Sequence, residues 1–154
     1  MSLARQPLRV VLDSHLRTPA AARIIAADGE VLIYTVKAVP KDQAFPDKVA
    51  VVRATKAASR VSLQFVLESL ASKFACNEVL VEAGSTLSSA FIQAGLVDEL
   101  LIYIAPRLLG SDAKALFDLT GLQSLADSVD FEVADLDKVG GDIRVTLVPV
   151  LPCG

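Results

Sequence analysis

A glycine followed by a hydroxyl-rich run opens a predicted helix in the middle of the chain. Gly84 permits a tight turn and the close approach of an anion, and residues 85–89 (STLSS) add hydroxyl donors. The first turn of a helix also presents unpaired backbone N–H groups and the positive end of the helix dipole. The pattern predicts a nucleotide-phosphate site, while a plain turn capped by Ser85 or Thr86 explains the same residues.

A carboxylate lies two residues before this glycine. Glu82 is the penultimate residue of the apolar run 78–83 (EVLVEA), which predicts a strand. In open α/β sheets, ligands bind outside the carboxyl ends of the strands. A carboxylate buried at that position needs a partner, so Glu82 is expected either to contact a polar ligand or to pair with an arginine or lysine. The local sequence leaves both alternatives open.

Asp13, Ser14 and His15 follow the end of another predicted strand and contain the residue types of a hydrolase triad. Consecutive side chains of an extended chain diverge, which excludes a triad built from these three neighbours. Ser14 remains a candidate donor to a cofactor phosphate, and the alternative is that the loop is simply polar. No catalytic acid or base is assigned.

Neither metal nor disulfide chemistry is indicated. His15 is the only histidine, and the chain has no Cys-x-x-Cys or His-x-Glu spacing, so it lacks the usual zinc ligand sets. Cys76 and Cys153 lie far apart in the sequence, and a structural disulfide between them is not expected.

Three short β-branched runs, 8–12, 30–36 and 49–52, predict the strands that position the Ser14 loop. From Ser62 the period of apolar residues changes to that of a helix with one face on a sheet. The apolar stripe of this helix consists of Leu63, Val66, Leu67, Leu70 and Phe74.

The second half of the chain continues this alternation. The helix after Gly84 ends at Gly95, and residues 98–105 predict a strand that Pro106 stops. Residues 131–137 and 143–148 predict a hairpin across the turn 140–142 (GGD). The predicted fold class is α/β, with three layers, a mainly parallel mixed sheet, helices on both faces and a C-terminal antiparallel hairpin. Without repeats or a composition change, residues 1–154 are predicted to form one domain.

Composition excludes several classes of partner. The 154 residues are 53% hydrophobic and 21% charged, and the net charge is only −3. No charge field gathers nucleic acid or an anionic membrane surface. The apolar runs are far shorter than the roughly 20 residues that span a bilayer, and no signal-peptide pattern occurs. The predicted protein is soluble and cytoplasmic, without nucleic-acid or membrane partners.

Three segments together resemble one known family: 10–19 (VVLDSHLRTP), 80–110 (LVEAGSTLSSAFIQAGLVDELLIYIAPRLLG) and 112–117 (DAKALF). They are similar to the C-terminal reductase domain of the bifunctional deaminase/reductase of riboflavin biosynthesis, whose fold is similar to that of dihydrofolate reductase. The succession of Val-Glu-Ala-Gly, a helix, Leu-Val-Asp-Glu-Leu and Ala-Pro-x-Leu-Leu-Gly is specific. The resemblance covers nearly the whole chain.

The resemblance implies NADPH-dependent reduction of the ribosyl group of 5-amino-6-(5-phosphoribosylamino)uracil to the ribityl form, with the hydride reaching the sugar C1′. It implies that Glu82 contacts the substrate and that Ser14 contacts the cofactor. The residues implied to bind the NADPH phosphates are Gly84, Ser85, Thr86, Leu87, Ser88, Ser89 and Ala90. Because the cofactor carries the hydride, no protein nucleophile is expected.

Domains of this family carry further strands and helices before the segment that matches Leu8. The resemblance therefore implies a domain that is incomplete at its N-terminus, catalytically poor alone, and preceded by a zinc deaminase domain in the full-length chain. Missing strands leave an apolar edge or face, which predicts a homodimer or a swapped element. Two alternatives stay open: a non-catalytic nucleotide-binding or dimerisation module, and a related reductase of another pterin or pyrimidine.

Overall fold

The structure, a computed structural model, describes residues 6–39 and 45–150. It divides into two compact units, Met1–Glu78 and Val79–Gly154. The first unit contains a parallel sheet in the order β1-β2-β3, formed by β1 (Arg9–Leu12), β2 (Val31–Thr35) and β3 (Val49–Arg53). All three strands lie where the β-branched runs predict them.

The central strand β2 is buried along its whole length. Its alternating side chains enter two separate apolar clusters, as the period of a strand requires. Leu32 and Tyr34 pack toward α2 (Leu63–Phe74), whereas Val31 and Ile33 pack with Ile25 of the short helix α1 (Arg23–Ala26). Helices therefore cover both faces of the parallel sheet, which confirms the predicted layers.

Helix α2 follows the predicted apolar stripe. Ser62 is its N-cap, and the serine Oγ accepts the backbone N–H of Phe65 at 3.3 Å. Within the layer between helix and sheet, the Tyr34 hydroxyl donates to Ser69 Oγ at 3.0 Å, so the polar tip of this buried ring is satisfied. A short antiparallel pair, β4 (Lys56–Ala57) and β5 (Arg60–Val61), connects β3 to α2.

The second unit combines one helix with an antiparallel sheet. It contains α3 (Ser85–Gln93), β6 (Leu100–Ile104), a 3-10 turn (Leu125–Asp127), β7 (Phe131–Val139) and β8 (Asp142–Pro149). The strand order is β6-β8-β7. Gly140 occupies the tight turn between β7 and β8 with a φ of 62°, a conformation that favours glycine. The predicted α/β class and the C-terminal hairpin are confirmed; the single domain over 1–154 stays a prediction.

One predicted element is wrong. Residues 78–83 form no strand, and Leu80 is 76% exposed. A strand requires a hydrogen-bonded neighbour, and within the second unit no described strand pairs with this segment. The apolar run 78–83 is therefore hydrophobic in composition but has no neighbouring strand in its unit with which to form backbone hydrogen bonds.

Among the described residues, none of the helices combines the length and the apolar character needed to cross a bilayer.

Candidate functional site

The start of α3 is capped by backbone alone. Gly84 is the N-cap residue, with φ −76° and ψ 170°, and its carbonyl accepts the N–H groups of Leu87 at 3.2 Å and Ser88 at 3.1 Å. No described side chain caps this end, so the alternative in which Ser85 or Thr86 is the cap is wrong. Both residues already lie inside the first turn, past the position from which a hydroxyl reaches the N2 or N3 amide.

The first turn of α3 has open hydrogen-bond donors and open space beside Gly84. The backbone N–H groups of Ser85 and Thr86 have no backbone acceptor in the part of the chain that the structure describes. A Cβ placed on Gly84 meets no atom within 4 Å, so the turn is open to an incoming group. An anion fits this arrangement because it accepts from both amides and lies at the positive end of the helix dipole.

The later hydroxyls of the same run are already engaged. Ser89 is 1% exposed, and its Oγ accepts the backbone N–H of Asp118 at 2.7 Å. Ser88 Oγ donates to the Ala83 carbonyl at a long 3.5 Å. On the last turn of α3, Gln93 Nε2 donates to the Thr120 carbonyl at 2.7 Å. Ser89 and Gln93 thus fasten the segment 118–120 to the helix, and the open donors are concentrated in the first turn.

Glu82 lies on the extended segment that leads into this turn. Its side chain is exposed, and no described residue forms an ion pair or a side-chain hydrogen bond with it. Because 78–83 is not an interior strand, the alternative in which a buried Glu82 pairs with an arginine or lysine is not found among the described residues, and contact with a polar ligand stays a prediction. The structure places Glu82 and residues 84–90 on one continuous segment of the second unit, whereas Ser14 belongs to the first unit.

The Ser14 loop begins with a carboxylate that is nearly buried. Asp13, 9% exposed, accepts from the Thr18 N–H at 2.6 Å, the Thr18 hydroxyl at 2.7 Å and the His15 N–H at 3.3 Å. Burial raises the pKa of Asp13, but the hydrogen bonds from Thr18, Arg17 and His15 outweigh burial and hold the pKa below its usual 3.8. The ionised Asp13 carboxylate therefore holds the backbone of the loop through these hydrogen bonds.

Ser14 itself is held by two further contacts. Its Oγ accepts the backbone N–H of Val61 at 3.1 Å, and its carbonyl accepts from the fully buried Thr35 hydroxyl at 3.4 Å. Thr35 Oγ1 also accepts the Lys37 N–H at 3.2 Å. Asp13 and Thr35 have no role that the sequence alone predicts. Each is a polar residue at the carboxyl end of a strand of the parallel sheet, which is the signal that identifies them.

Two depressions of the described surface are lined neither by the Ser14 loop nor by the start of α3. A shallow depression at the amino ends of β1 and β2 is lined by Gln6, Leu8, Gly29 and Glu30. Ligands of parallel sheets bind at the opposite, carboxyl ends, so this depression carries no chemical assignment. Within residues 6–39 and 45–150 no three His, Cys, Asp or Glu side chains converge as metal ligands. Cys76 is a free thiol, and Cys153 lies outside the described residues.

Comparison with known proteins agrees with this architecture. The riboflavin biosynthesis protein RibD of Escherichia coli (strain K12) is 39% identical over 144 residues, which are 94% of this chain and 38% of that protein. A 5-amino-6-(5-phosphoribosylamino)uracil reductase of Buchnera aphidicola subsp. Acyrthosiphon pisum is 30% identical over 145 residues, 94% of this chain and 69% of the relative.

A solved structure agrees as well. RibD of Acinetobacter baumannii, form 2, superimposes with a TM-score of 0.81 at 34% identity, covering 94% of this chain and 38% of that one. The chain thus spans 38% of the length of the first curated relatives that it matches. The family described as the RibD C-terminal domain matches residues 1–145. The chain therefore belongs to the RibD C-terminal domain family.

Proposed function

We propose that this chain is an NADPH-dependent oxidoreductase that converts the ribosyl group of 5-amino-6-(5-phosphoribosylamino)uracil into the ribityl group. The observation that carries the proposal is the similarity to the Buchnera reductase, because this chain spans 69% of that protein and 94% of its own residues take part. The substrate is a pyrimidine ribosyl phosphate, and riboflavin biosynthesis is the process in which the product is used.

The first turn of α3 supports a dinucleotide cofactor. Two amide donors, at Ser85 and Thr86, share one helix end with the open backbone of Gly84. This set of groups fits the phosphates of NADPH, and the proposed binding segment extends over residues 84–90. When bound, NADPH supplies the hydride that reduces C1′ of the sugar. The preference for NADPH over NADH is part of the proposal.

The protein groups bind and orient the reactants. Glu82 is exposed and has no ion-pair partner among the described residues. Its carboxylate accepts hydrogen bonds from donors of the pyrimidine or the ribose, and its place two residues before Gly84 brings substrate and cofactor contacts onto one short segment. Ser14 donates its hydroxyl hydrogen to the cofactor. Holding two reactants in a reactive orientation removes a large part of the barrier to a bimolecular step.

We propose a domain organisation, an assembly and a location together with this activity. Residues 1–154 act as one domain, a deaminase domain belongs to the full-length protein, and two copies associate as a homodimer in the cytoplasm. The share of 38% that the chain covers in the RibD relatives supports the presence of a further domain in such proteins.

The test is NADPH oxidation that depends on the phosphoribosylamino-pyrimidine, measured by absorbance with the purified chain and, separately, NADPH binding by fluorescence. Turnover that needs the pyrimidine supports the reductase. Saturable NADPH binding without turnover on any pyrimidine, both by this chain and by the full-length protein, contradicts it and favours the non-catalytic module. Turnover on a pterin in preference to the pyrimidine favours the related reductase.

The role of Glu82 is tested with Glu82→Gln. We expect kcat/KM to fall by about 10- to 100-fold, the equivalent of one lost charged hydrogen bond, with the unfolding midpoint unchanged. Glu78→Gln is the matched control, because Glu78 is an exposed carboxylate of the same segment with no assigned role. Equal kcat/KM for the two variants would remove Glu82 from the site.

A further inference from the structure

Several hydrogen bonds within the loop 13–18 close it on Asp13. The loop follows the carboxyl end of β1, has Leu16 at a left-handed φ of 52°, and brings Thr18 back to Asp13. Leu16 donates its N–H to the Asp13 carbonyl at 3.1 Å, and Asp13 donates its own N–H to the Tyr34 carbonyl at 2.9 Å. A non-glycine residue at positive φ persists only where its surroundings fix it.

We infer that Asp13 and Thr18 are positioning residues, which hold the loop in the one conformation where Ser14 presents its hydroxyl to the phosphorylated cofactor. The inference rests on the proposed function, in which Ser14 contacts NADPH. It adds two residues that do not touch the cofactor. The Thr18 hydroxyl and N–H both donate to one oxygen of Asp13, Oδ2, at 2.7 and 2.6 Å.

The direction of the Ser14 hydroxyl follows from its acceptor role. Because Ser14 Oγ accepts the N–H of Val61, one lone pair faces the chain and the hydroxyl hydrogen is free to rotate toward a ligand oxygen. Thr35 fixes the backbone of the same residue through the Ser14 carbonyl. Asp13 and Thr18 act on Ser14 indirectly, because the hydrogen bonds between them keep the backbone of residues 14–17 from opening.

Preorganisation predicts a specific kinetic signature. If only a fraction of the molecules holds the competent loop, the apparent dissociation constant rises by the inverse of that fraction. The bound complex is the same once it forms, so turnover at saturation is unaffected. Loss of the Asp13–Thr18 closure therefore raises KM for NADPH and leaves kcat near its original value.

The experiment compares three variants in the same chain. Thr18→Val removes the hydroxyl donor and keeps the shape and the N–H; Thr18→Ser keeps both donors. Ser69→Ala is the control, because it removes a buried side-chain hydrogen bond of the same unit, that of Tyr34, far along the chain from the loop. KM for NADPH, kcat, and amide exchange of residues 14–18 are measured for each.

We expect Thr18→Val to raise KM for NADPH by about tenfold with kcat within about twofold, and to speed amide exchange in 14–18. Thr18→Ser is expected to match the wild type, and Ser69→Ala to leave KM unchanged. An unchanged KM in Thr18→Val, an equal rise in Ser69→Ala, or a failed rescue by Thr18→Ser would overturn the inference. A wild-type chain that does not bind NADPH would overturn the proposed function first, at the reference measurement.

Discussion

The two polar segments proposed to contact the cofactor use their hydrogen-bonding groups in opposite ways. In the loop 13–18, the Asp13 carboxylate, the Ser14 oxygens and the Thr35 hydroxyl are all engaged by other protein groups. At the start of α3, the Ser85 and Thr86 amides have no backbone acceptor among the described residues. Satisfied groups stabilise a conformation, whereas open donors are left for a ligand. Most polar groups of the loop 13–18 therefore hold its conformation and leave the Ser14 hydroxyl hydrogen to a ligand, whereas the amides at the start of α3 are available for binding.

The sheets of the two units also differ in how far their side chains are buried. Every residue of β2 is buried between two apolar clusters, so the first unit holds a well-packed interior. In the second unit, Leu136 of β7 is 65% exposed and Tyr103 of β6 is 57% exposed. Arg144 on β8 joins Asp135 and Asp137 at 3.0 and 3.7 Å on this accessible sheet. Stability is therefore expected to depend more on substitutions in the first unit.

The largest expected effect is that of Asp13→Ala. It leaves the Thr18 and His15 donors without their acceptor, and we expect a loss of about 3 kcal/mol in the free energy of unfolding. Urea denaturation followed by circular dichroism measures it. Glu82→Ala is the comparison from the other segment, expected within about 0.5 kcal/mol of the wild type because the Glu82 carboxylate is exposed and no described residue pairs with it. Similar losses in both would break the contrast between the segments.

Ser85→Pro tests the open donors with little disturbance of the helix. Ser85 is the first helical residue, where proline fits, and the extended ψ of 170° at Gly84 suits a residue before proline. The change removes one N–H, and we expect NADPH to bind about 10- to 30-fold more weakly, the equivalent of about 2 kcal/mol. Ser85→Ala keeps the N–H and serves as the control in the same fluorescence titration. Unchanged affinity in Ser85→Pro would mean that this amide binds no phosphate.

The sequence predicts the elements whose signals are local. The β-branched runs of β1, β2 and β3 and the apolar stripe of α2 are reproduced, because a buried strand or helix face shows its period directly in the residues. Residues 78–83 have the same apolar composition and form no strand, because a strand also depends on a neighbour that the local sequence does not specify.

The candidate site divides in the same way. The turn at Gly84 is readable from the sequence, since a glycine before a polar helix start is a local signal. The contacts of Ser14 with Val61 and Thr35 join residues 47 and 21 positions apart, and only the packed sheet brings them together. The role of Asp13 as the centre of its loop depends on the return of the chain to Thr18, which composition alone does not reveal.

The pH dependence of stability sharpens the description of the ordered loop. The pKa of Asp13 in the folded protein lies below 3.8 because its hydrogen bonds outweigh burial. Its ionised form therefore contributes stability that is fully present above the unfolded pKa and is lost as pH falls through the folded pKa. We expect the difference in unfolding free energy between the wild type and Asp13→Asn to be constant from pH 7 to about pH 5 and to shrink below it. A difference that grows on acidification would contradict the direction of the shift.

Gly84→Ala is expected to change stability only slightly, and it separates a plain turn from a phosphate site. The φ of −76° is open to any residue and an added Cβ meets no atom within 4 Å. Alanine is expected to change the unfolding free energy by less than about 1 kcal/mol, because the lower entropy of its unfolded chain and its poorer fit at an N-cap position oppose each other. An anion seated against this backbone competes with the new methyl group for space, and NADPH affinity is then expected to fall a few-fold. Gly95→Ala places a methyl group at a φ of 64° beyond the other end of the same helix, and it is expected to lower stability without altering affinity. If Gly84→Ala binds NADPH as tightly as the wild type, Gly84 only forms a turn, and the proposal that the first turn of α3 binds the NADPH phosphates is contradicted.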